Sequence, residues 1–159
     1  MPPDMAEVAL APAPLWRRLA AGLYDLLPVA ALLFIGTAVA MVITYLIQPA
    51  DRIDLVLRQG WPHVLLQLWL LFLLIGYYAW SWHKGGQTIG MKAWRLEVLA
   101  ESGERLGLGA SILRLVLSWI SFAAVGAGFV WSLFERERRT WHDLGCNSRM
   151  VFRPKAAKR

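Results

Sequence analysis

Residues 26–47 contain 22 positions and no charged side chain. Wound as a helix at 1.5 Å per residue they extend about 33 Å, enough to cross a hydrocarbon core of roughly 30 Å. A second run, residues 63–82, has 20 positions of which only His63 and Gln67 are strongly polar. In lipid every backbone N–H and C=O must be satisfied within its own helix, so two such runs predict an all-α membrane protein with two full transmembrane helices. Gln67 inside the second run can hydrogen-bond across to another helix. Ala38-Val39-Ala40 after Arg17-Arg18 has the outline of a leader-peptide cleavage site, but the apolar run continues to Ile47, so a spanning helix is the expectation.

The charges beside the first run matter most. Arg18 and Asp25 are seven residues apart, hence on one helical face and about 10 Å apart along the axis, with small Ala21 and Gly22 between them. Two readings of Asp25 stay open. It is either a buried carboxylate at the membrane edge, near a Tyr24 carbonyl that Pro28 deprives of its helical donor and suited to a cation or proton, or the N-cap of the spanning helix, with residues 16–24 forming a separate interfacial helix.

Residues 106–134 form a third apolar region, less uniform than the others. It carries Arg114 near its start and Ser118, Ser121, Gly126 and Gly128 through its middle. Between the second and third regions, residues 83–99 are polar, and Gly86 and Gly90 bracket Gln87-Thr88-Ile89, as expected where backbone bends sharply or approaches a neighbour closely. Alternation over residues 95–99, followed by the turn dipeptide Ser102-Gly103, predicts a small surface hairpin that pairs back through Arg105-Leu106. Residues 1–14, with Pro2, Pro3, Pro12 and Pro14, are expected to be disordered; residues 15–152 form the membrane domain, and residues 153–159 a basic tail.

Composition narrows the function classes. The chain is 57% hydrophobic and 18% charged, too apolar for a soluble domain of 159 residues. Its net charge of +6 sits beside the apolar runs, which fits anionic lipid headgroups and not a nucleic-acid stripe. Most of the nine Trp flank those runs, as interfacial anchors do. A single cysteine, Cys146, allows no internal disulfide, and His63, His83 and His142 lack metal-ligand spacing, so neither metal nor cofactor is expected. Ser118, Ser121, His142 and Asp143 lack the local context of a hydrolytic nucleophile, and no enzymatic activity is expected.

Three patches together carry a resemblance. Arg18-Leu19-Ala20-Ala21-Gly22-Leu23-Tyr24-Asp25 fits R-x-x-A-x-x-x-D, Gly86-Gln87-Thr88-Ile89-Gly90 fits G-Q-T-x-G, and Trp141-His142-Asp143 fits a closing acidic motif. In this order and spacing the chain resembles the RDD family of small bacterial multi-pass membrane proteins, named for one arginine and two aspartates. The resemblance implies Arg18, Asp25 and Asp143 as the functional cluster, with Gly86, Gln87, Thr88, Gly90 and Arg114 as supporting residues. It also implies a bacterial inner-membrane location, and transport has been suggested for the family. The chain departs at Asn147-Ser148, where members often carry Gly-Thr: a hydroxyl is kept, and a glycine that permits positive φ is lost.

Positive charge sets orientation. Two Lys and Arg precede the first run, two lie in the first connection, four in the second, and eight follow residue 134. Three full spans would put the tail with the first connection, ten positive charges against six, which is the wrong way round for a cytoplasmic N-terminus. A re-entrant or interfacial helix pair over residues 106–134 instead leaves only Arg52 and Arg58 outside and brings Asp143 to the side of Arg18 and Asp25; a conventional third span is the alternative. Two functions follow. One is a small transporter or ion-coupled permease subunit, necessarily a homo-oligomer, in which Asp25 carries the proton or cation, Arg18 is its counter-charge and Asp143 competes for Arg18. The other is a non-transporting membrane scaffold or assembly partner in which the three residues form one buried ion-pair cluster.

Overall fold

The structure is a computed structural model and describes residues 11–47 and 60–153. The expectations for residues 1–10, for the helix end at Gln48-Pro49, for an amphipathic turn in the first connection and for residues 154–159 lie outside the described residues. After a two-residue strand β1 (Ala11–Pro12), helix α1 (Leu15–Ile47) runs unbroken for 33 residues, about 50 Å. Pro28 lies inside it, so residues 16–24 are not a separate helix and Asp25 is not an N-cap. In lipid a break in the helix would leave several backbone groups unpaired, whereas Pro28 within it removes one hydrogen bond. β1 itself belongs to the stretch expected to lack structure, and it is held there by pairing with the C-terminal strand.

Helix α2 (Trp61–Trp80) starts with Pro62 in its first turn, after Gly60 at φ +81°, and continues into a π-helical turn, Ser81–Gly85. Together with α1 it makes two helices long and apolar enough to cross a membrane. They touch through a small residue: a β-carbon on Gly36 would fall on the Leu73 side chain, and Trp69 Nε1 donates to the Gly36 carbonyl at 3.1 Å. Elsewhere their apolar side chains point outward, Phe34 and Leu46 among the most exposed, as suits helices solvated by lipid. Gln67 pairs with His63 one turn earlier on the same helix, at 2.9 Å, and not across to α1.

At one end of this pair the chain builds a compact platform. Helix α3 (Ile89–Ala93) packs on the first turns of α1, strand β2 (Leu96–Ala100) follows, and helix α4 (Leu108–Ala123) buries Ser111, Arg114, Leu115 and Ser121. Helix α5 (Ala127–Val130) and a 3₁₀ turn, Trp131–Leu133, are bent by 105° from α4, at a break where Val125 and Gly126 both have positive φ. Helix α6 (Trp141–Gly145) and strand β3 (Ser148–Phe152) complete the fold. The three strands form one antiparallel sheet ordered β1-β3-β2, with Ala11 opposite Phe152, and Leu96 opposite Phe152 through Ala100 opposite Ser148.

The turn after β2 forms, with Gly103 at φ +84° and Ala100 N–H donating to the Glu104 carbonyl at 2.8 Å. The expected pairing with Arg105-Leu106 does not continue from it. β2 takes the C-terminal strand instead, because five residues of β3 offer a full ladder and a buried apolar side chain on each face, Met150 and Val151. Sheet pairing therefore ties the N-terminal flank, the second connection and the tail to the same end of the two long helices, and the α4–α5 pair leaves and returns at that end. The core lies there too: Ala13, Ala21, Trp82, Met91, Leu96, Val98, Leu106, Leu115 and Met150.

Candidate functional site

Arg18 occupies the first turn of α1 and is 7% exposed. Its guanidinium gathers three separate stretches of chain. Nε donates to the Ala13 carbonyl (3.1 Å), Nη2 to the Arg138 carbonyl (2.8 Å), and Nη1 to Asp143 Oδ2 (2.5 Å). Asp143 sits on α6, fully buried, where Oδ2 also accepts the Thr140 N–H at 3.1 Å, so the residue that caps its own helix is the one that holds Arg18. Its second oxygen faces Arg114 of α4, with Nη1 at 2.5 Å from Oδ1 in an ion-pair contact that is not aligned as a hydrogen bond. Nη1 of Arg114 instead donates to Ser148 Oγ at 2.6 Å. One carboxylate therefore lies between two guanidiniums, and the cluster carries one net positive charge.

Burial alone would raise the Asp143 carboxyl, but the neighbouring guanidiniums of Arg114 and Arg18 outweigh it and hold the group well below the usual carboxylate range. His142, beside it, is pushed down to about 3, first by burial and then by Arg114, so the ring is neutral at physiological pH. Its Nε2 lies 2.8 Å from Thr140 Oγ1 and its ring meets Phe129 edge-on. Burial raises the Cys146 thiol.

Asp25 is in a different place. Two turns beyond Arg18 on α1 and 3% exposed, it accepts from Tyr77 Oη (2.7 Å) and Gly90 N–H (2.8 Å) on Oδ1 and from Thr88 Oγ1 (2.5 Å) on Oδ2. The glycine-bracketed block explains how these donors arrive. Gly86 at φ +65° ends the π turn, Gln87 N–H donates to the Ser81 carbonyl (3.3 Å), and Thr88 caps α3, accepting the Met91 N–H at 3.2 Å. Gly90 then lies so close to α1 that a β-carbon would fall on the Ala21 carbonyl oxygen. Sharp bend and close approach are each realised, one at each glycine.

The structure thus brings Arg18 and Asp143 together as expected and adds Arg114 as an equal partner. It sets Asp25 apart: among the described residues Arg18 and Asp25 share no hydrogen bond or ion pair. Arg18 as counter-charge of Asp25 is overturned, because Asp143 and two carbonyls engage each of its three nitrogens while hydroxyl and amide donors satisfy the acid. Asn147 adopts φ +45° although it is not glycine, and the Ser148 hydroxyl is the one Arg114 uses. Tyr77 and Thr140 were not foreseen as site residues. Tyr77 reaches Asp25 from another helix and no local pattern marks it, whereas Thr140 and Asp143 form a Thr-x-x-Asp capping box that is visible in the sequence.

Both sites open onto one cavity of about 330 Å³, whose walls include Arg18, Asp25, Arg114 and His142 together with aromatic residues of α2, α4 and α5. Among the described residues no group of three or more His, Cys, Asp or Glu is arranged to hold a metal ion. In comparisons with known proteins, the family model described as the RDD family matches residues 12–147. Neither a curated protein nor a solved structure gives a significant match.

Proposed function

Because the chain belongs to the RDD family, and its apolar helices make it a membrane protein, we propose that it is a non-transporting scaffold that fastens a folded platform to one face of a bacterial inner membrane. One observation carries this reading. Asp25, Arg18 and Asp143 are each engaged by hydrogen bonds or ion pairs from within the chain. A carrier must release and rebind its ion, whereas removing one partner of a buried charge pair costs roughly 3–5 kcal/mol. The cluster is a latch: Arg18 joins the start of α1 to the tail, and Arg114 joins the tail to α4.

The same reading puts the platform in the cytoplasm. Twelve Lys and Arg among the described residues lie at the platform end, which the positive-inside rule assigns to that side. It faces anionic headgroups there. Arg17 stacks on Trp16 and Phe152, and Lys84 on Trp80, which keeps cations and aromatic rings together at interface depth. The chain acts without enzymatic chemistry and has no nucleic-acid partner in this account.

A second reading, ion-coupled transport by a homo-oligomer, is favoured by the cavity that exposes Asp25 and Arg114 to a common space. Two spans and a bent helix pair do not enclose a pathway, so this reading needs several copies. Purified protein in proteoliposomes, with proton and sodium gradients imposed in turn and flux read by entrapped dyes, separates the two. The scaffold reading expects flux equal to that of protein-free vesicles. Flux above that level that disappears in Asp25→Asn would overturn it and establish transport.

A further inference from the structure

The cavity between α1, α2, α4 and α6 has features that the latch does not use. Arg114 is 1% exposed, yet its Nε and Nη2 have no hydrogen-bond partner among the described residues, although buried donors are almost always satisfied. Its guanidinium carbon lies 5.4 Å from the Trp82 ring, which orients the plane without using those N–H groups. Among the other polar wall groups Asp25 holds three donors, Ser118 Oγ donates to the Leu115 carbonyl at 2.7 Å and the Thr88 hydroxyl is on Asp25, while His142 Nδ1 has no hydrogen-bond partner among the described residues. What remains unpaired is the two charged donors of Arg114 and the neutral His142 Nδ1, on the wall of a space whose other side is apolar, including Leu115, Trp119, Phe122 and Phe129. Phe122 is 78% exposed, so the apolar end opens outward at a level where α1 is about to enter its uncharged run.

We propose that this cavity binds an anionic amphiphile from the bilayer, with an oxyanion headgroup on Arg114 Nε and Nη2 and the first part of its acyl chain along Trp119 and Phe122. The inner cluster's single net positive charge matches one negative headgroup, and His142, neutral, adds no second charge while its unpaired Nδ1 offers a further polar contact. A volume near 330 Å³ lies at the small end of ligand pockets, about 300–1,000 Å³, and holds the head and upper chain while the rest leaves through the open side into lipid. The ligand chemistry is shared by a fatty-acid carboxylate and a phospholipid phosphate. Binding of this kind does not depend on whether the protein is a scaffold or a carrier.

The test uses the full chain purified in dodecyl maltoside and titrated, with native mass spectrometry as the readout, against oleate, dioleoylphosphatidylglycerol, oleyl alcohol and inorganic phosphate. Saturable one-to-one binding of oleate or of phosphatidylglycerol is expected, and the tighter of the two identifies the source. Oleyl alcohol, which lacks the charge, and inorganic phosphate, which lacks the chain, should each bind at least about tenfold more weakly, since a hydrogen bond to a charged group and the apolar burial are each worth that much. Arg114→Lys keeps a charge facing Asp143 and removes both free donors, and should lose about tenfold. Gly22→Phe guards against misfolding as an explanation. A β-carbon at Gly22 meets no atom within 4 Å, and Gly22 lines the cavity, so a side chain can start there without a clash and its ring competes for the cavity mouth. It should abolish binding at a thermal midpoint no lower than that of wild type. Equal binding of oleyl alcohol and oleate, or full oleate affinity in Gly22→Phe, would overturn the proposal.

Discussion

Gly90→Ala is the smallest change that tests how α3 is held on α1. The added β-carbon would fall on the Ala21 carbonyl oxygen and come within 2.9 Å of the Asp25 carboxyl carbon and 3.0 Å of the Asp25 backbone nitrogen. Two of those three atoms are backbone of a long helix and do not rotate aside, so α3 must retreat by about 1 Å. A retreat of that size breaks the 2.8 Å bond from Gly90 N–H to Asp25 and loosens the Thr88 hydroxyl on the other carboxylate oxygen. Overpacking costs about 1–3 kcal/mol, and a lost hydrogen bond to a charged group about 1.5–3 kcal/mol. The two overlap, so the expected loss is roughly 3–4 kcal/mol, a fall in thermal midpoint on the order of 10 °C. The assay is thermal unfolding in detergent followed by tryptophan fluorescence. Gly22→Ala is the control, because its β-carbon enters open space and alanine is the better helix former by about 1 kcal/mol. A Gly90→Ala protein as stable as wild type, alongside a normal control, would refute the close approach and with it the assembly of the Asp25 site.

The latch gives a further pair of expectations. Asp143→Asn leaves two buried guanidiniums facing each other and should cost about 3–5 kcal/mol, while Asp143→Asn combined with Arg114→Met should recover part of that loss; urea-induced unfolding of both variants in mixed micelles checks the order. His142 sets the acid sensitivity. Its folded-state value near 3 lies below the unfolded value near 6.5, so the unfolded chain binds the extra proton first, and the stability present above pH 6.5 is lost as pH falls towards 3, at up to about 1.4 kcal/mol per unit. The Asp143 carboxyl is depressed as well, and its contribution is lost below the ordinary carboxylate range, at lower pH than the onset for His142. Midpoints measured between pH 7.5 and 4.5 should therefore slope downward with acidity in wild type and flatten in His142→Gln.

Much of this was legible in the sequence because lipid leaves few alternatives. Two long uncharged runs fix two helices, and the distribution of Lys and Arg points to a tail on the N-terminal side, which agrees with the platform assembled from both ends of the chain. Gly86 and Gly90 could be read as bend and close approach without knowing the neighbour. What the sequence hid was pairing across distance. Arg18 and Asp25 share a helical face, so spacing alone suggested that they interact, yet the side chains are claimed by Asp143 and by Tyr77, Thr88 and Gly90, from elements 52 to 125 residues away. Arg114 was visible as the one charge in an apolar region, but its role depended on where α6 lands. The strand at residues 96–100 was recognisable by alternation, and its partner was not, because a local turn and a distant strand satisfy the same edge.

Side-specific cysteine labelling decides most directly whether the latch holds the tail on the side of the N-terminal flank. In a Cys146→Ser background, single cysteines replace Trp61 at the start of α2, Ser102 in the turn after β2 and Glu137 before α6, all exposed positions. Intact spheroplasts are treated with a membrane-impermeant maleimide before and after permeabilisation. The account predicts that Trp61→Cys reacts in intact cells, and that Ser102→Cys and Glu137→Cys both react only once the membrane is opened. Labelling of Glu137→Cys from the same side as Trp61→Cys would place the tail across the bilayer from Arg18 and contradict the ion-pair latch.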